Sequence, residues 1–431
     1  MAHAPHEQVR DAKLKQVDLP SEDRAMLRGL ASEVAEIASE SVHREKIRLW
    51  TKLNDLESER PMVWVNEVCW NEMNVDDELT LRCSHDWAKS EETRLRRLIY
   101  QWRHFPGDMV VNDYIECPLE IHSTQWGICE DVDTVSTDVS SDVVSRHFNL
   151  QIQNEDDLEK IKLPVVTYDE AKSDFHYAAM CDLYDSIIPV RKTGRSHIWF
   201  TPWDNLIRWY GIAEAMMDMI DRPDFVHAAV ERMVASSMSE LDQLIDLKVL
   251  KLDNDSTRVG SGGYGYTSAL PGDDFDPDWV KPSNMWGCSN AQIFSEVSPQ
   301  MHWDFAIEHE LRWMERWGMN YYGCCEPLDG KMDLMRRIPN LRKISVSPWC
   351  NLERAVDEIA GDYVASRKPS PAILAPDHWN PGQARADIRE FLDLAKGKSH
   401  VELIMKDIST VHYEPQRLWE WTAIAMEEAS A

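Results

Sequence analysis

The sequence predicts an α/β protein: a (β/α)8 TIM barrel with an N-terminal helical extension and insertions. Three observations lead to it. Residues 317–431 read as four strand–helix units in succession, each strand an almost continuous apolar run. That alternation implies right-handed crossovers and a parallel sheet covered by helices. Residues 190–430 nearly supply the roughly 250 residues that such a barrel needs, and a strand at 61–67 can join it. The chain also lacks the glycine fingerprint of a doubly wound dinucleotide-binding sheet. The expected division is 1–60 as helical extension and 61–431 as barrel.

Residues 21–56 read as helical. Ser21, Glu22 and Asp23 make a start signal, and Leu27, Leu30, Val34 and Ile37 recur at helical spacing, followed by Leu49, Leu53 and Leu56. After Pro61 the run "MVWVNEV" reads as a buried strand. "DMVVNDYIEC" and "LPVVTYD" read as further strands inside the mixed, acid-rich stretch 69–160. "SHIWFTP" is strand-like, 204–220 helical, and 223–248 a long helix opening on Pro223. "KVLKLDNDS" follows as a strand. "GSGGYGY" lacks the Gly-Lys-Ser/Thr ending of a phosphate loop and reads as a mobile loop near a site. In "MHWDFAIEHELRWMERWG", Trp303, Phe305, Leu311, Trp313 and Trp317 read as core at helical spacing, whereas Trp286, in a loop-like stretch, is a candidate to line a pocket.

The formal charge of −29 argues against nucleic acid, whose phosphates need a basic patch, and against an anionic membrane surface. The start has no apolar core of signal-peptide length, and no stretch approaches a membrane span. The expected location is cytoplasmic, where nine cysteines serve as thiols, nucleophiles or metal ligands.

In a barrel of this kind the site lies at the C-terminal ends of the strands. Those ends are Asn66–Glu67, Asp253–Asn254, Cys324–Cys325–Glu326, Ser347–Trp349, Ser366–Arg367–Lys368 and Lys406–Asp407. Adjacent residues on an extended strand face opposite ways, so Cys324 and Glu326 share a face and Cys325 points elsewhere unless the chain turns. Thiolate and carboxylate are both zinc ligands. A buried thiol that merely fills space is the competing reading. Further ligands would come from His302, His378, His412, Cys288 or Glu67. His302, just after Ser298–Pro299, suggests a cap or a surface position.

The segment "GCSNAQIFSEVSPQMHWDFAIEHELRWMERWGMNYYGCCEPL", with "GIAEAMMDMIDRPDFVHAAVERM", resembles the uroporphyrinogen-decarboxylase superfamily over residues 200–430. The resemblance is closer to its corrinoid-dependent methyltransferase-like branches than to the porphyrinogen decarboxylases. It implies a (β/α)8 barrel and either decarboxylation without cofactor or methyl transfer to or from a corrinoid, usually with zinc. The arginine-rich motif of the decarboxylases is replaced here by "PMVWVNEVCW". Cys324-x-Glu326 stands where the zinc methyltransferases carry His-x-Cys, and "LIMKDIST" offers Lys406 and Asp407 in place of a cysteine.

The resulting expectation is a corrinoid-linked methyltransferase. It moves a methyl group between a small methyl ether, amine or thiol and a cobalamin carried by a partner corrinoid protein. Cys324, Cys325 and Glu326 are the expected zinc ligands and Asp407 and Glu67 the expected acid and base. Arg367, Lys368, Asn254 and Trp286 are expected at the substrate, and a homodimer is compatible with the reading. The alternatives are a metal-free lyase acting on a carboxylate and a non-catalytic corrinoid- or tetrapyrrole-binding module.

Overall fold

The computed structural model describes residues 19–135, 145–273 and 275–431. Residues 1–18 of the expected extension lie outside that set. The rest of the extension forms two helices, Ser21–Ala38 and Val42–Asn54, where one continuous helical segment was expected. The break falls at "SES": Ser39 Oγ donates back to the Glu36 carbonyl at 2.7 Å, a local bond that competes with helix propagation. The two helices do not stand apart from the main body. Trp50 Nε1 donates to the Asp108 carbonyl at 2.9 Å, and Asn54 Nδ2 donates to the carbonyls of Tyr264 and Tyr266 at 2.9 and 2.7 Å.

The central sheet is parallel and six-stranded. Its members are β1 (Met62–Val65), β8 (Trp286–Ser289), β9 (Met319–Tyr322), β10 (Leu341–Val346), β11 (Val364–Arg367) and β12 (His400–Met405), in the order β1-β12-β11-β10-β9-β8. The first strand pairs with the last, Met62 opposite Glu402 and Val65 opposite Met405. Three small two-stranded sheets lie between: β2 (Ile115–Pro118) with β7 (Val190–Thr193), β3 (Ile121–Ser123) with β6 (Val166–Tyr168), and β4 (Val132–Val135) with β5 (Ser145–Phe148). Helices Leu352–Ile359, Pro381–Ala395 and Gln416–Ala429 follow β10, β11 and β12 as the alternation required.

An eight-stranded hydrogen-bonded ring is not formed among the described residues. Arg195, just before "SHIWFTP", forms one parallel bridge with Leu250 of "KVLKLDNDS", held by Arg195 N to the Val249 carbonyl at 2.7 Å and Lys251 N to the Arg195 carbonyl at 2.9 Å. Two local features stop it there. His197 has a left-handed φ of +48°, which ends the extended run. The Trp286 amide, which a neighbouring strand's carbonyl would take, donates to the buried Asp253 carboxylate at 3.0 Å. The helical stretch near 204–220 is likewise split, into Pro202–Tyr210 and Ile212–Asp221, at Gly211 with φ +88°. The tryptophan-rich helix runs as Pro299–His302, a π turn over Trp303–Ile307 and Glu308–Met314. Trp303, Phe305, Trp313 and Trp317 are buried as their spacing indicated.

The inner face of the sheet is polar at its centre. Lys343 on β10 and Glu402 on β12 form an ion pair at 3.0 Å with both side chains at 0% exposure. Glu402 also accepts from Ser366 Oγ at 2.5 Å and from Gly263 N at 3.1 Å, and Lys343 donates to the Tyr264 carbonyl at 3.2 Å. Burial would raise the Glu402 carboxyl, but the ammonium groups of Lys343 and Lys368 hold it below its ordinary range. The glycine-rich stretch expected to be a mobile loop is therefore the opposite: residues 259–265 are buried and pinned to this pair. The glycines are needed for the close approach. A Cβ on Gly262 would stand 2.3 Å from Glu402 Oε1, and one on Gly263 2.4 Å from the Trp50 ring.

Removing one partner of such a pair leaves an uncompensated buried charge. Lys343→Met is expected to cost about 3–5 kcal/mol, and Lys343→Met with Glu402→Leu to recover much of it. Denaturant midpoints of the two variants check this; an unchanged midpoint for the single variant would rule the pair out as a constraint.

Candidate functional site

The strand ends bring Cys324, Lys406, Asp407, Glu67 and Arg258 into one cluster. Gly323 follows β9 with φ +95°, a conformation that favours glycine, and the chain bends over Cys324–Glu326 instead of continuing extended. The period-two expectation fails at this point for that reason. The two cysteines do not face apart: their sulfurs are 3.7 Å apart, and the Cys325 thiol donates to Cys324. Glu326 instead turns back on the backbone, accepting from Cys324 N at 2.9 Å and from Ala291 N at 3.1 Å, fully buried.

Of the two thiols, Cys324 is the one whose surroundings favour the thiolate. The hydrogen bond from Cys325 outweighs burial, and with the charges of Lys406 and Lys368 it brings the Cys324 thiol down to about 5. The same bond, with burial, pushes the Cys325 thiol up. Lys406 Nζ lies 3.5 Å from Cys324 Sγ, 2.5 Å from Asp407 Oδ2 and 3.5 Å from Glu67 Oε2. Burial opposes its charge, but the negative groups of Cys324, Glu67 and Asp407 raise the ammonium above its ordinary value. Burial, and a hydrogen bond to Glu67, raise the Asp407 carboxyl to about 6 against the pull of Lys406. Glu67, half-buried, is held low by Arg258 and Lys406, its Oε1 accepting from Arg258 Nη1 at 2.6 Å. Glu67 and Asp407 both sit in left-handed backbone, φ +51° and +57°, on adjacent strand ends. Such conformations cost free energy and concentrate at functional sites.

Lys368, from the end of β11, is buried and points to the same centre. It donates to the Tyr321 hydroxyl at 2.6 Å and to Ser366 Oγ at 2.5 Å, and burial brings its ammonium down to about 7. A second acidic group lies behind β9. Burial raises Glu326 to about 7, Asp204 to about 6 and Glu310 to about 8. The Cys324 charge adds to the shifts of Glu326 and Asp204.

Several buried polar atoms at the strand ends have no hydrogen-bond partner among the described residues: both amide atoms of Asn290, Asn66 Nδ2 and Arg258 Nε. Asn290 stands one residue beyond the Ser289–Tyr322 pair, so it faces Gly323 and adjoins Cys324. Buried polar atoms without partners are rare in folded proteins, and a cluster of them beside reactive groups is a place for a polar ligand.

Other expected residues lie elsewhere. Arg367 turns outward, its guanidinium donating to the Ser347 carbonyl at 2.6 Å and lying 5.5 Å from the Phe391 ring centre, because Ser366 and not Arg367 faces inward on β11. Asn254 Nδ2 is taken by the Leu270 carbonyl at 2.7 Å. Trp286 is no loop residue; it opens β8, buried, with Nε1 donating to the Gly265 carbonyl at 2.8 Å. His302 is neither a cap nor exposed: it is buried between the Tyr322 hydroxyl at 3.0 Å and Lys331 Nζ at 3.1 Å. His378 and His412 are exposed, and Cys288 Sγ is buried 3.5 Å from the Ile198 carbonyl. Arg258, Asn290 and Asp204 were missed. Asn290 ends the strand in "GCSN" and Asp204 follows "SHIWFTP", so a strict strand-end rule would have found both; Glu310, in mid-helix, carried no signal.

The expected zinc set does not fit. The two thiols are close, but Glu326 is directed at amides and Lys406 stands at the thiolate. Among the described residues no group of three or more His, Cys, Asp or Glu side chains is placed to hold a metal. Nor does any described helix have the length and apolarity to cross a membrane.

Comparison with protein-family models and with curated proteins gives no match. Among solved structures, a methyltransferase from Methanosarcina mazei superposes with a TM-score of 0.48 at 10% identity, over 89% of this chain and 98% of that one. At that score and identity the likeness carries no functional argument.

Two measurements check the electrostatics. Alkylation of Cys324 by iodoacetamide is expected to be flat in its thiolate-dependent part between pH 6 and 8 and to fall toward pH 5, whereas in Cys325→Ala, which lacks the donor, the fall moves to higher pH. Glu310 has a folded pKa of about 8 against an ordinary 4.5, so its contribution to stability is complete below the lower value and lost as pH rises through the upper. Glu310→Gln is expected to flatten the decline of thermal stability between those limits.

Proposed function

We propose that this chain is a methyltransferase that moves a methyl group between a small methylated ether, amine or thiol and a cobalamin carried by a partner corrinoid protein. The sheet, joined by the two segments of the Arg195–Leu250 bridge, is read as an incompletely hydrogen-bonded (β/α)8 barrel. One observation carries the reading: the ends of β1, β9 and β12 converge on a charged cluster of Glu67, Cys324, Lys406 and Asp407, with unpaired polar atoms of Asn66, Arg258 and Asn290 around it. The superfamily resemblance of "SPQMHWDFAIEHELRWMERWGMNYYGCCEPL" supplies the reaction class.

Methyl transfer demands a leaving heteroatom made stable as the methyl departs. The corrinoid, when bound, supplies the cobalt that takes or gives the methyl group. Its carrier would meet a rim on which Trp349 is exposed. Asp407, raised to about 6, holds a proton within the useful range for a general acid and gives it to the heteroatom as the methyl–heteroatom bond breaks. Glu67, ionised against Arg258, shares a hydrogen bond with Asp407 and keeps that proton on it. Lys406 places a fixed positive charge beside the developing negative one. The Cys324 thiolate holds that ammonium in position, and the unpaired Asn290 amide orients the substrate's polar end. Bound substrate would exclude water from the cluster, which strengthens each of these interactions.

The test is formation of methylcobalamin from reduced cobalamin and a panel of methyl ethers, methylamines and methyl thioethers. The rate is expected to fall as pH rises through about 6, where Asp407 loses its proton. Asp407→Asn should lower it by about 10²–10⁴-fold. No methyl transfer from any donor, together with carbon dioxide release from a small carboxylate, would replace this reading with the decarboxylase.

A further inference from the structure

The cluster at Lys406 is built as a cation cage. Its walls come from three strand ends: Cys324 after β9, Asp407 after β12 and Glu67 after β1. Their sulfur and carboxyl oxygen atoms stand 3.5, 2.5 and 3.5 Å from one point, and that point is the Lys406 nitrogen. Lys406 is 4% exposed. Two of the three walls adopt left-handed backbone at non-glycine residues to aim their carboxylates there. The Cys324 thiolate and the Glu67 carboxylate gathered without a cation would repel one another in a poorly solvated site. The cage is sized for an ammonium group, and the chain supplies one from its own last strand.

We propose that the Lys406 ammonium is a built-in cation that takes the place of a catalytic metal, so that the site works metal-free and admits a metal only when this side chain is removed. The proposal deepens the methyltransferase reading, from which it takes only the location of the site. No bond is made or broken at Lys406. Its positive charge stays in place and neutralises the thiolate and the Glu67 carboxylate as a Lewis-acidic ion would. Cys325, hydrogen-bonded to Cys324, becomes available as a further donor once the cage is empty.

The test is metal content, read without turnover and so independently of which reaction is catalysed. The unmodified chain, incubated with cobalt(II) and desalted, is expected to hold well under one equivalent and to show no thiolate-to-cobalt absorption. Lys406→Ala is expected to take up one equivalent with that absorption, and Lys406→Ala with Cys324→Ser to lose it. Lys406→Met, which keeps the volume but not the charge, is expected to bind none. A folded Lys406→Ala that binds no cobalt, or an unmodified chain that carries stoichiometric metal dependent on Cys324, would overturn the proposal. Should the alanine variant fail to fold, the unmodified chain decides: stoichiometric Cys324-dependent uptake refutes the proposal and its absence upholds it.

Discussion

The buried pair of Lys343 and Glu402 is the constraint on which the rest of the structure depends. Two charges at 0% exposure inside a parallel sheet are tolerable only when each is also hydrogen-bonded. Ser366, Gly263 N and the Tyr264 carbonyl provide those bonds. Two of the three come from one glycine-rich stretch, so the pair fixes the path of residues 259–265 through the inside of the sheet. That path in turn carries Arg258 to the strand ends, where it pairs with Glu67. A polar interior and a polar mouth are thus one continuous network, from Glu402 through Ser366 and Lys368 to Tyr321 and Ser261.

Electrostatic division of labour follows from that network. On the inner side, Lys368, Lys406 and Arg258 face the Cys324 thiolate and Glu67. Behind β9, burial raises the carboxyls of Glu326, Asp204 and Glu310, and among the described residues no cation is in ion-pair contact with them. The Cys324 charge adds to the upward shifts of Glu326 and Asp204, and the inner lysines add to the downward shift of Cys324. A site that holds proton donors and a stable anion a few residues apart is suited to group transfer at a heteroatom, where charge must be moved without water.

Part of this was legible in the sequence. Apolar runs alternating with helical stripes placed β9 to β12 and their helices, because a parallel sheet covered on its outer face leaves that pattern. The strand-end rule singled out Glu67, Cys324, Lys368, Lys406 and Asp407, which the fold brings close together. It misjudged Arg367, since period two on β11 is set by which residue meets Glu402. It misjudged Asn254, since the path of the following loop decided its partner. The cysteine pair was misread because Gly323 turns the chain at the strand's end. The mobility expected of "GSGGYGY" was wrong because glycines serve close packing as well as flexibility.

The sequence by itself determined the class of fold, the acidic surface and the set of polar residues at the strand ends, since these follow from local periodicity and composition. Tertiary structure alone decided which of those residues meet. Cys324 and Lys406 are 82 positions apart, and Arg258 and Glu67 are 191. Whether a thiol beside a carboxylate becomes a metal ligand or a lysine-paired thiolate depends on the group that fills the space between strands. Pairwise electrostatics of that kind falls off with distance in space and leaves no mark on spacing along the chain.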